Sequence, residues 1–224
     1  PQRQLPGTVS GGATGIELAA GAHITARKAV IANLTPAVLF DQLLPQGSGN
    51  AAADAKFRAF RAGPGTMMLH LALDGPLSWT AGEALSRFAY VHVAPSYDYM
   101  TAAYAQALDG LLPAAPVLVV GQPTALDPSR APAGKHVLWV QVRVLPKTVT
   151  GDAAQKISGT AWSAVKDDYA ERVLDIIEAH APGARQRIIG RAVFSPDDLE
   201  RENPCLVGGD NLSGSHHLDQ NFLF

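Results

Sequence analysis

The stretch HVLWVQVRVLP, residues 136–146, decides the fold class because its side chains alternate in character over the length of a strand. Every second residue is aliphatic and falls on one face of an extended chain: Leu138, Val140, Val142 and Val144. The intervening residues Trp139, Gln141 and Arg143 fall on the other face. The pattern predicts a β-strand with one buried face and one partly polar face in contact with water.

Other segments along the chain also read as strands. They are TMMLHLALDGP (66–76), FAYVHVAP (88–95), VLVVGQP (117–123) and the first half of QRIIGRAVFSPDDLERENP (186–204). The strands outnumber the long helices and are not spaced as regular βαβ units. The sequence therefore predicts an α+β, or mixed α/β, fold with a mixed or antiparallel sheet covered by helices.

Two segments have helical periodicity. SAVKDDYAERVLDIIEAHAPG (163–183) carries one apolar stripe, and Asp168 and Arg172, one turn apart, are expected to pair. In SYDYMTAAYAQALDG (96–110), Met100, Tyr104 and Leu108 recur every four residues and indicate an amphipathic helix. Ser96 is its expected N-cap.

The N-terminal stretch TGIELAAGAHITARKAVIANLTP, residues 14–36, contains two short apolar runs around a glycine turn. This arrangement predicts a hairpin, and the apolar run Ala29–Asn33 that follows predicts a buried strand. Thr35 is expected to cap a helix that has Pro36 in its first turn.

Composition excludes several function classes. Eighteen Lys and Arg residues balance 20 Asp and Glu residues, for a net charge of −2, and no basic block exists to attract nucleic acid. The single Cys205 permits no internal disulfide. No apolar run approaches the ~20 residues that a membrane span requires. We expect a cytoplasmic protein, and the start at Pro1 suggests a cut or processed piece.

Three short motifs invite functional interpretations that the residues support weakly. His216 and His217 are adjacent and so point to opposite faces of an extended chain, and no HExxH spacing occurs, so we expect no metal site. Ser213 or Ser215 could be combined with the nearby His and Asp residues into a catalytic triad. The sequence has no G-x-S-x-G elbow, however, so a serine nucleophile is not expected. The glycine-rich stretch 11–15 precedes a strand instead of opening a helix, which favours a tight turn over a phosphate loop.

Four stretches together resemble a known family. They are GIELAAGAHITARKAVIANLTPAVLFDQLLP (15–45), YVHVAPSYDYMTAAYAQALDGLLPAAPVLVV (90–120), PTALDPSRAPAGKHVLWVQV (123–142) and SPDDLERENPCLVGGDNLSGSHHLDQNFLF (195–224). The chain resembles the phytoene dehydrogenase-like FAD-dependent oxidoreductases over nearly its whole length. Within them it is most similar to the pyridine nucleotide-disulfide oxidoreductase domain-containing type.

The resemblance implies a domain organisation. In that family both chain ends build one flavin domain around a central substrate domain. A G-x-G-x-x-G unit at one end binds the ADP half of FAD, and a glycine turn at the other end closes over the flavin. Both are missing here. Residues 1–45 then correspond to a remnant of the FAD-binding domain and residues 46–205 to the substrate-binding domain. Residues 206–224 correspond to a loop that returns to the flavin.

The resemblance also implies a function: dehydrogenation of C–H bonds in a small apolar or conjugated substrate, with FAD as cofactor of the full-length protein but not bound to this stretch alone. The residues that it places toward substrate or flavin are Gly208, Gly209, His216, His217, Asp219 and Gln220. Weaker cofactor candidates are Asn33, Thr35 and Pro36, and no catalytic residue is assigned. The alternative is a non-catalytic interaction module that has lost the cofactor. We expect self-association through faces around Ala29–Leu34 and Leu218–Phe224.

Overall fold

The structure is a computed structural model that describes residues 7–8, 12–44 and 50–221. The strands are β1 (Gly7–Thr8), β2 (Gly12–Ala13), β3 (Gly15–Glu17), β4 (His23–Thr25), β5 (Gly65–Leu73), β6 (Tyr90–Val93), β7 (Leu111–Leu112), β8 (Val117–Gly121), β9 (His136–Leu145), β10 (Gly151–Asp152) and β11 (Ile188–Phe194). The α-helices are α1 (Ala51–Arg58), α2 (Tyr97–Leu108), α3 (Trp162–His180), α4 (Ala184–Arg187), α5 (Pro196–Glu202) and α6 (Leu218–Asn221). A π-helix spans Ala37–Leu43, and 3₁₀ turns span Glu83–Arg87, Pro123–Ala125, Pro128–Arg130 and Val207–Gly209. None of the described helices is both long and apolar enough to cross a membrane.

The described residues form two compact units. The first contains the described residues up to Gly63, Asn203–Val207 and the described residues from Leu212 onward. The second contains Pro64–Glu202 and Gly208–Asn211. The functional division proposed from the sequence, 1–45, 46–205 and 206–224, stays a prediction.

A five-stranded antiparallel sheet dominates the second unit, with strand order β11-β5-β9-β8-β6. Strand β9, which contains the alternating stretch, lies at its centre between β5 and β8. Helices and antiparallel sheets together confirm the predicted α+β class. The alternation in β9 is also confirmed: Leu138, Val140 and Val142 are at most 2% exposed, whereas Arg143 is exposed.

Helix α3 packs against one face of this sheet and forms the core with it. Its apolar stripe is Trp162, Val165, Tyr169, Val173 and Ile177, all at most 2% exposed. The sheet contributes alternate residues, including Leu69, Leu71, Leu118, Val120, Val140 and Val142. Because successive strand residues point to opposite faces, this core uses only half of each strand.

The predicted pairing of Asp168 with Arg172 is wrong. Arg172 instead donates from Nη1 and Nη2 to the two carboxylate oxygens of Asp152, at 2.7 and 2.6 Å, and from Nη1 to the carbonyl of Pro113 at 3.1 Å. Its guanidinium also lies 5.2 Å from the centre of the Tyr169 ring. A buried carboxylate that accepts two hydrogen bonds, such as that of Asp152, stabilises a guanidinium more than the exposed carboxylate of Asp168 one helical turn away.

Helix α2 turns its large apolar residues outward. Ser96 caps it as predicted, since its Oγ accepts the N–H of Tyr99 at 3.2 Å. The predicted apolar stripe is exposed, however: Met100 by 40%, Tyr104 by 45% and Leu108 by 77%. The helix buries Ala103 and Ala107 instead and contacts β7 and β9. Small side chains allow a helix to approach its neighbours closely, which the spacing of large residues does not reveal.

In the first unit, β3 and β4 form the predicted hairpin, with Gly21 in the turn at a φ of 80°. The predicted strand Ala29–Asn33 is wrong: this stretch has no strand structure, and Ile31 is 93% exposed. No described strand pairs with it, and an apolar run without a hydrogen-bonded neighbour does not form a sheet. The predicted Thr35 cap is also wrong, because Pro36 occupies the N-cap and no side chain bonds there.

We predict that the Asp152–Arg172 pair makes stability depend on acid pH. Burial raises the pKa of the Asp152 carboxyl, but hydrogen bonds from Arg172 and three backbone N–H groups outweigh it and lower the pKa to about 2, from 3.8. The stabilisation, about 2 kcal/mol, is therefore fully present above pH 3.8 and is lost as the pH falls toward about 2. Urea unfolding across this pH range measures it.

Asp152→Asn should remove that acid dependence and lower the free energy of unfolding at neutral pH by roughly 3–5 kcal/mol, because it leaves the guanidinium without its charge partner. Asp168→Asn is the matched control on the exposed side of α3 and should change stability by less than about 0.5 kcal/mol. Equal unfolding midpoints for the two variants would contradict the assignment.

Candidate functional site

The sheet has a second face, turned away from the core, which we call the open face. One row of cross-strand neighbours on it runs Ala192, His70, Trp139, Gly121 and Tyr90. The next row runs Phe194, Met68, Gln141, Val119 and His92. The face therefore carries aromatic, thioether, imidazole and amide groups side by side.

Much of the open face is in contact with water. Tyr90 is 57% exposed, His70 and His92 are exposed, and Trp139 is partly exposed. At the β8 side, by contrast, Val119 is buried although it lies outside the main core. Helix α2, which buries Ala103 and Ala107, contacts the neighbouring strand β9.

Trp139 is held flat at the centre of the row. A Cβ atom added at Gly121 would lie 2.1 Å from the Trp139 ring, so the indole lies directly across the glycine backbone. Tyr90 packs beside it with 5.4 Å between ring centres. On the other side, the His70 ring meets the edge of Phe194 with 5.8 Å between centres. Glycine opposite an aromatic residue thus creates a platform of ring faces on the sheet.

The other end of the open face is polar. Arg143 donates from Nε to Oε1 of Gln141 at 2.8 Å, and both belong to the same face of β9. Nearby on β5, the buried Thr66 donates from its hydroxyl to Oδ1 of Asn211 at 3.0 Å. The segment Gly208–Asn211 therefore reaches the end of the sheet where β5 begins.

Gly208 and Gly209, two of the predicted site residues, are buried in this segment with φ of 64° and 76°. Their lack of side chains permits close packing: an added Cβ would lie 2.8 Å from the Lys147 side chain at Gly208 and 2.5 Å from Cα of Pro196 at Gly209. The Gly208 N–H donates to Oε2 of Glu200 at 2.9 Å. These glycines fit the loop tightly against α5.

The start of α5, which supports this loop, is fixed by Asp198. Its Oδ2 accepts bonds from the Ser195 N–H at 3.0 Å, the Ser195 hydroxyl at 2.8 Å and Lys166 Nζ at 2.9 Å. Burial raises the pKa of the Asp198 carboxyl, but these bonds and Arg201 outweigh it and hold the pKa well below its usual range. Ser195 caps the helix and Pro196 occupies its first position.

The other predicted residues of the C-terminal loop lie in the first unit. Asp219 pairs with Arg61, its two oxygens 2.8 and 2.6 Å from Nη2. Gln220 binds the Arg61 backbone at both ends, accepting its N–H at 2.7 Å and donating to its carbonyl at 3.0 Å. These two side chains therefore fasten the segment around 215–220, while His216 and His217 are exposed on it.

The three weaker cofactor candidates also lie in the first unit. Asn33 is exposed, and Pro36 begins the π-helix. Thr35 is 6% exposed, and its hydroxyl makes no hydrogen bond with any described residue. The hydroxyl of Ser215 is likewise buried and unpaired within the described part of the chain. Buried unpaired hydroxyls are uncommon because each costs about 1–3 kcal/mol.

Among the described residues, no group of three or more His, Cys, Asp or Glu side chains could hold a metal ion. Sequence reasoning recognised the wet side of β9 but missed His70, Met68 and Gly121 as its neighbours. The alternation in TMMLHLAL could have placed Met68 and His70 on one face. Their alignment with Trp139, however, depends on strand register, which the sequence does not state.

No family model matches the chain. Two relatives are similar to the chain over 119 residues. The "Pyridine nucleotide-disulfide oxidoreductase domain-containing protein 2" of Rattus norvegicus is 37% identical there, and that of Mus musculus is 36% identical. The match covers 53% of this chain and 19% of either relative, so it spans about a fifth of their length. The chain is thus similar to one region of proteins with an oxidoreductase-type name.

A solved structure shares the fold. The oxidoreductase from Methanosarcina mazei superposes with a TM-score of 0.51 at 19% sequence identity, covering 86% of this chain and 36% of that protein. At this identity the likeness extends to the fold alone. In both comparisons, sequence and structure, the chain corresponds to only part of a longer protein.

We predict that Gly121→Ala lowers stability by about 1–3 kcal/mol, because its Cβ would force Trp139 off the strand. The indole emission should change with it, since Trp79 and Trp162 are buried elsewhere. Gly190→Ala is the matched control on the open face, since its Cβ would meet only Ala72 at an ordinary 3.7 Å. Thermal unfolding measures both, and equal melting temperatures would show that Trp139 does not depend on Gly121.

Proposed function

We propose that this chain is the substrate-binding part of an FAD-dependent oxidoreductase, and that its substrate lies on the open face. The reaction is removal of a hydride from a C–H bond of an apolar or conjugated molecule. The observation that carries the proposal is the open face itself, a ring-lined sheet surface in a chain similar to an oxidoreductase-type protein. Ligand sites are typically apolar surfaces with a few placed polar groups.

The open-face residues suit such a substrate. The flat Trp139 and its neighbour Tyr90 offer ring faces on which a planar or hydrocarbon group can pack. His70, opposite Trp139 on β5, and Gln141, two residues along β9 from Trp139, supply donors and acceptors that fix orientation. Because the sheet backbone holds these four residues, the spacing of their side chains is set before a ligand binds. A substrate packed on the rings would displace water from them.

Residues of the first unit fit a flavin. FAD, when bound, accepts the hydride and so supplies the redox chemistry. The buried hydroxyls of Thr35 and Ser215, which have no hydrogen-bond partner among the described residues, are each able to donate one hydrogen bond to a carbonyl or nitrogen acceptor of such a ring. Asp219 and Gln220, through Arg61, act as positioning residues that hold the segment bearing His216 and His217.

Anchoring of the ADP half of FAD would come from elsewhere. No G-x-G-x-x-G fingerprint occurs in the 224 residues, and this loop at a helix N-terminus is what usually binds the pyrophosphate. We therefore propose that other segments of a longer protein complete the flavin site. The same missing fingerprint favours the second candidate function, an interaction module that keeps the fold without cofactor.

We predict that the product of the complete reading frame that encodes this chain carries one flavin per molecule, whereas residues 1–224 alone bind FAD weakly, with a dissociation constant above about 1 μM. Absorbance spectra of both proteins during FAD titration provide the measurement. A complete product that stays colourless at saturating FAD would reject the oxidoreductase and support the interaction module. Tight binding by residues 1–224 alone would show that the ADP site has been misplaced.

We also predict that residues 1–224 alone self-associate. Ile31 is 93% exposed, Leu34 37% and Leu218 74%, and apolar side chains this accessible usually find a partner. Residues 222–224 of the second expected patch lie outside the described residues. Sedimentation velocity over a concentration series measures the association, and Ile31→Ser together with Leu218→Ser should reduce it. A single monomeric species at the highest concentration would contradict the prediction.

A further inference from the structure

Arg143 is a cation on the open face without a carboxylate to neutralise it. It is exposed and forms no ion pair with any described residue. No Asp or Glu occupies the open-face positions registered across β11, β5, β9, β8 and β6. Asp210, in the neighbouring loop, is 2% exposed and therefore turned away from the solvent that Arg143 faces. The polar end of the face is therefore electropositive.

The Arg143 guanidinium is also oriented. Its Nε is taken by Oε1 of Gln141 at 2.8 Å, which fixes one edge of the planar group and leaves the two terminal nitrogens for another acceptor. Two parallel N–H donors match the two oxygens of a carboxylate. An exposed arginine held by a neighbour in this way loses less side-chain freedom when it binds an anion than a mobile one does.

The aromatic platform lies at a defined distance from this group. Arg143 and Trp139 are four residues apart on one strand, so about 13 Å separates them at roughly 3.3 Å per residue. Gln141 lies between them on β9, and Met68 lies opposite Gln141 on β5. The open face thus carries Arg143 at one end, the Met68 thioether beside the Gln141 amide in the middle and Trp139 at the other end.

From this arrangement we infer that the substrate is an amphipathic carboxylate. Its carboxylate binds the terminal nitrogens of Arg143, and its apolar chain runs past Gln141 and Met68 to the ring of Trp139. This inference rests on the proposed function, since it takes the open face to be the substrate surface, and it adds a substrate class and a residue that selects it. A neutral hydrocarbon of the same length would fill the apolar part and leave the guanidinium unused.

Equilibrium binding of decanoate and of 1-decanol to the 224-residue chain separates recognition of the carboxylate from binding of the apolar chain. Trp139 is the partly exposed indole and lies on the open face, whereas Trp79 is 6% and Trp162 2% exposed, so tryptophan emission reports binding there. Decanoate should bind about tenfold more tightly than decanol at low salt. Added salt should narrow that difference, because it screens the exposed ion pair.

Substitutions of two arginines test whether Arg143 causes the preference for decanoate over decanol. Arg143→Gln should bring decanoate to the affinity of decanol while leaving decanol binding unchanged, and Arg143→Lys should retain part of the preference. Arg130→Gln removes an exposed arginine outside the sheet and serves as the charge-matched control, with the full preference intact. Both positions are exposed, so all three variants should fold as the parent does.

The outcomes distinguish the two proposals. If both probes bind with equal affinity, or if Arg143→Gln and Arg130→Gln weaken decanoate equally, the carboxylate inference is wrong while the open face remains a ligand surface. If neither probe changes the tryptophan emission, the open face is not an apolar ligand surface, and the substrate assignment in the proposed function is wrong together with the inference.

Discussion

The packing of α3 against one face of the five-stranded sheet is the interaction on which the rest of the second unit depends. Tyr169, at the middle of the helix, is fully buried and donates its hydroxyl to the Pro113 carbonyl at 3.1 Å, while Trp162 donates to Pro146 at 3.2 Å. Each large apolar side chain buried there contributes about 1.5–3 kcal/mol. Arg172, on the same helix, adds the clamp to Asp152. One helix thus fixes the strands and the connections between them.

This core leaves the opposite face available for chemistry. Successive side chains of a strand point to opposite faces of the sheet. Because Val140 and Val142 are fixed in the core, their neighbours on β9 are held in defined positions on the open face. These neighbours are Trp139, Gln141 and Arg143. Sites built on regular elements hold their geometry better than sites on loops. The stability of the buried face and the proposed binding role of the open face are therefore two consequences of one alternating sequence.

Local periodicity made part of the structure predictable. Four correct predictions depend on residues close in sequence: the faces of β9, the stripe of α3, the hairpin turn at Gly21 and the cap at Ser96. Two of the errors involve distant partners. No described strand pairs with Ala29–Asn33, and Arg172 pairs with Asp152, 20 residues away in sequence. The site was predictable to the same extent. The sequence indicated the water-exposed residues of β9, but only the strand register places His70 and Gly121 beside them. The contacts of Asp219 and Gln220 likewise depend on Arg61, which is distant in sequence.

The central claim is that the open face is a substrate surface and not simply an interface for other parts of a longer protein. A crystal structure of the complete gene product, soaked with an apolar carboxylate, tests it most directly. We predict a cavity walled by Trp139 and Gln141, with the ligand in it and the carboxylate at Arg143. An open face covered by packed side chains of another domain, with no cavity between them, would contradict the account.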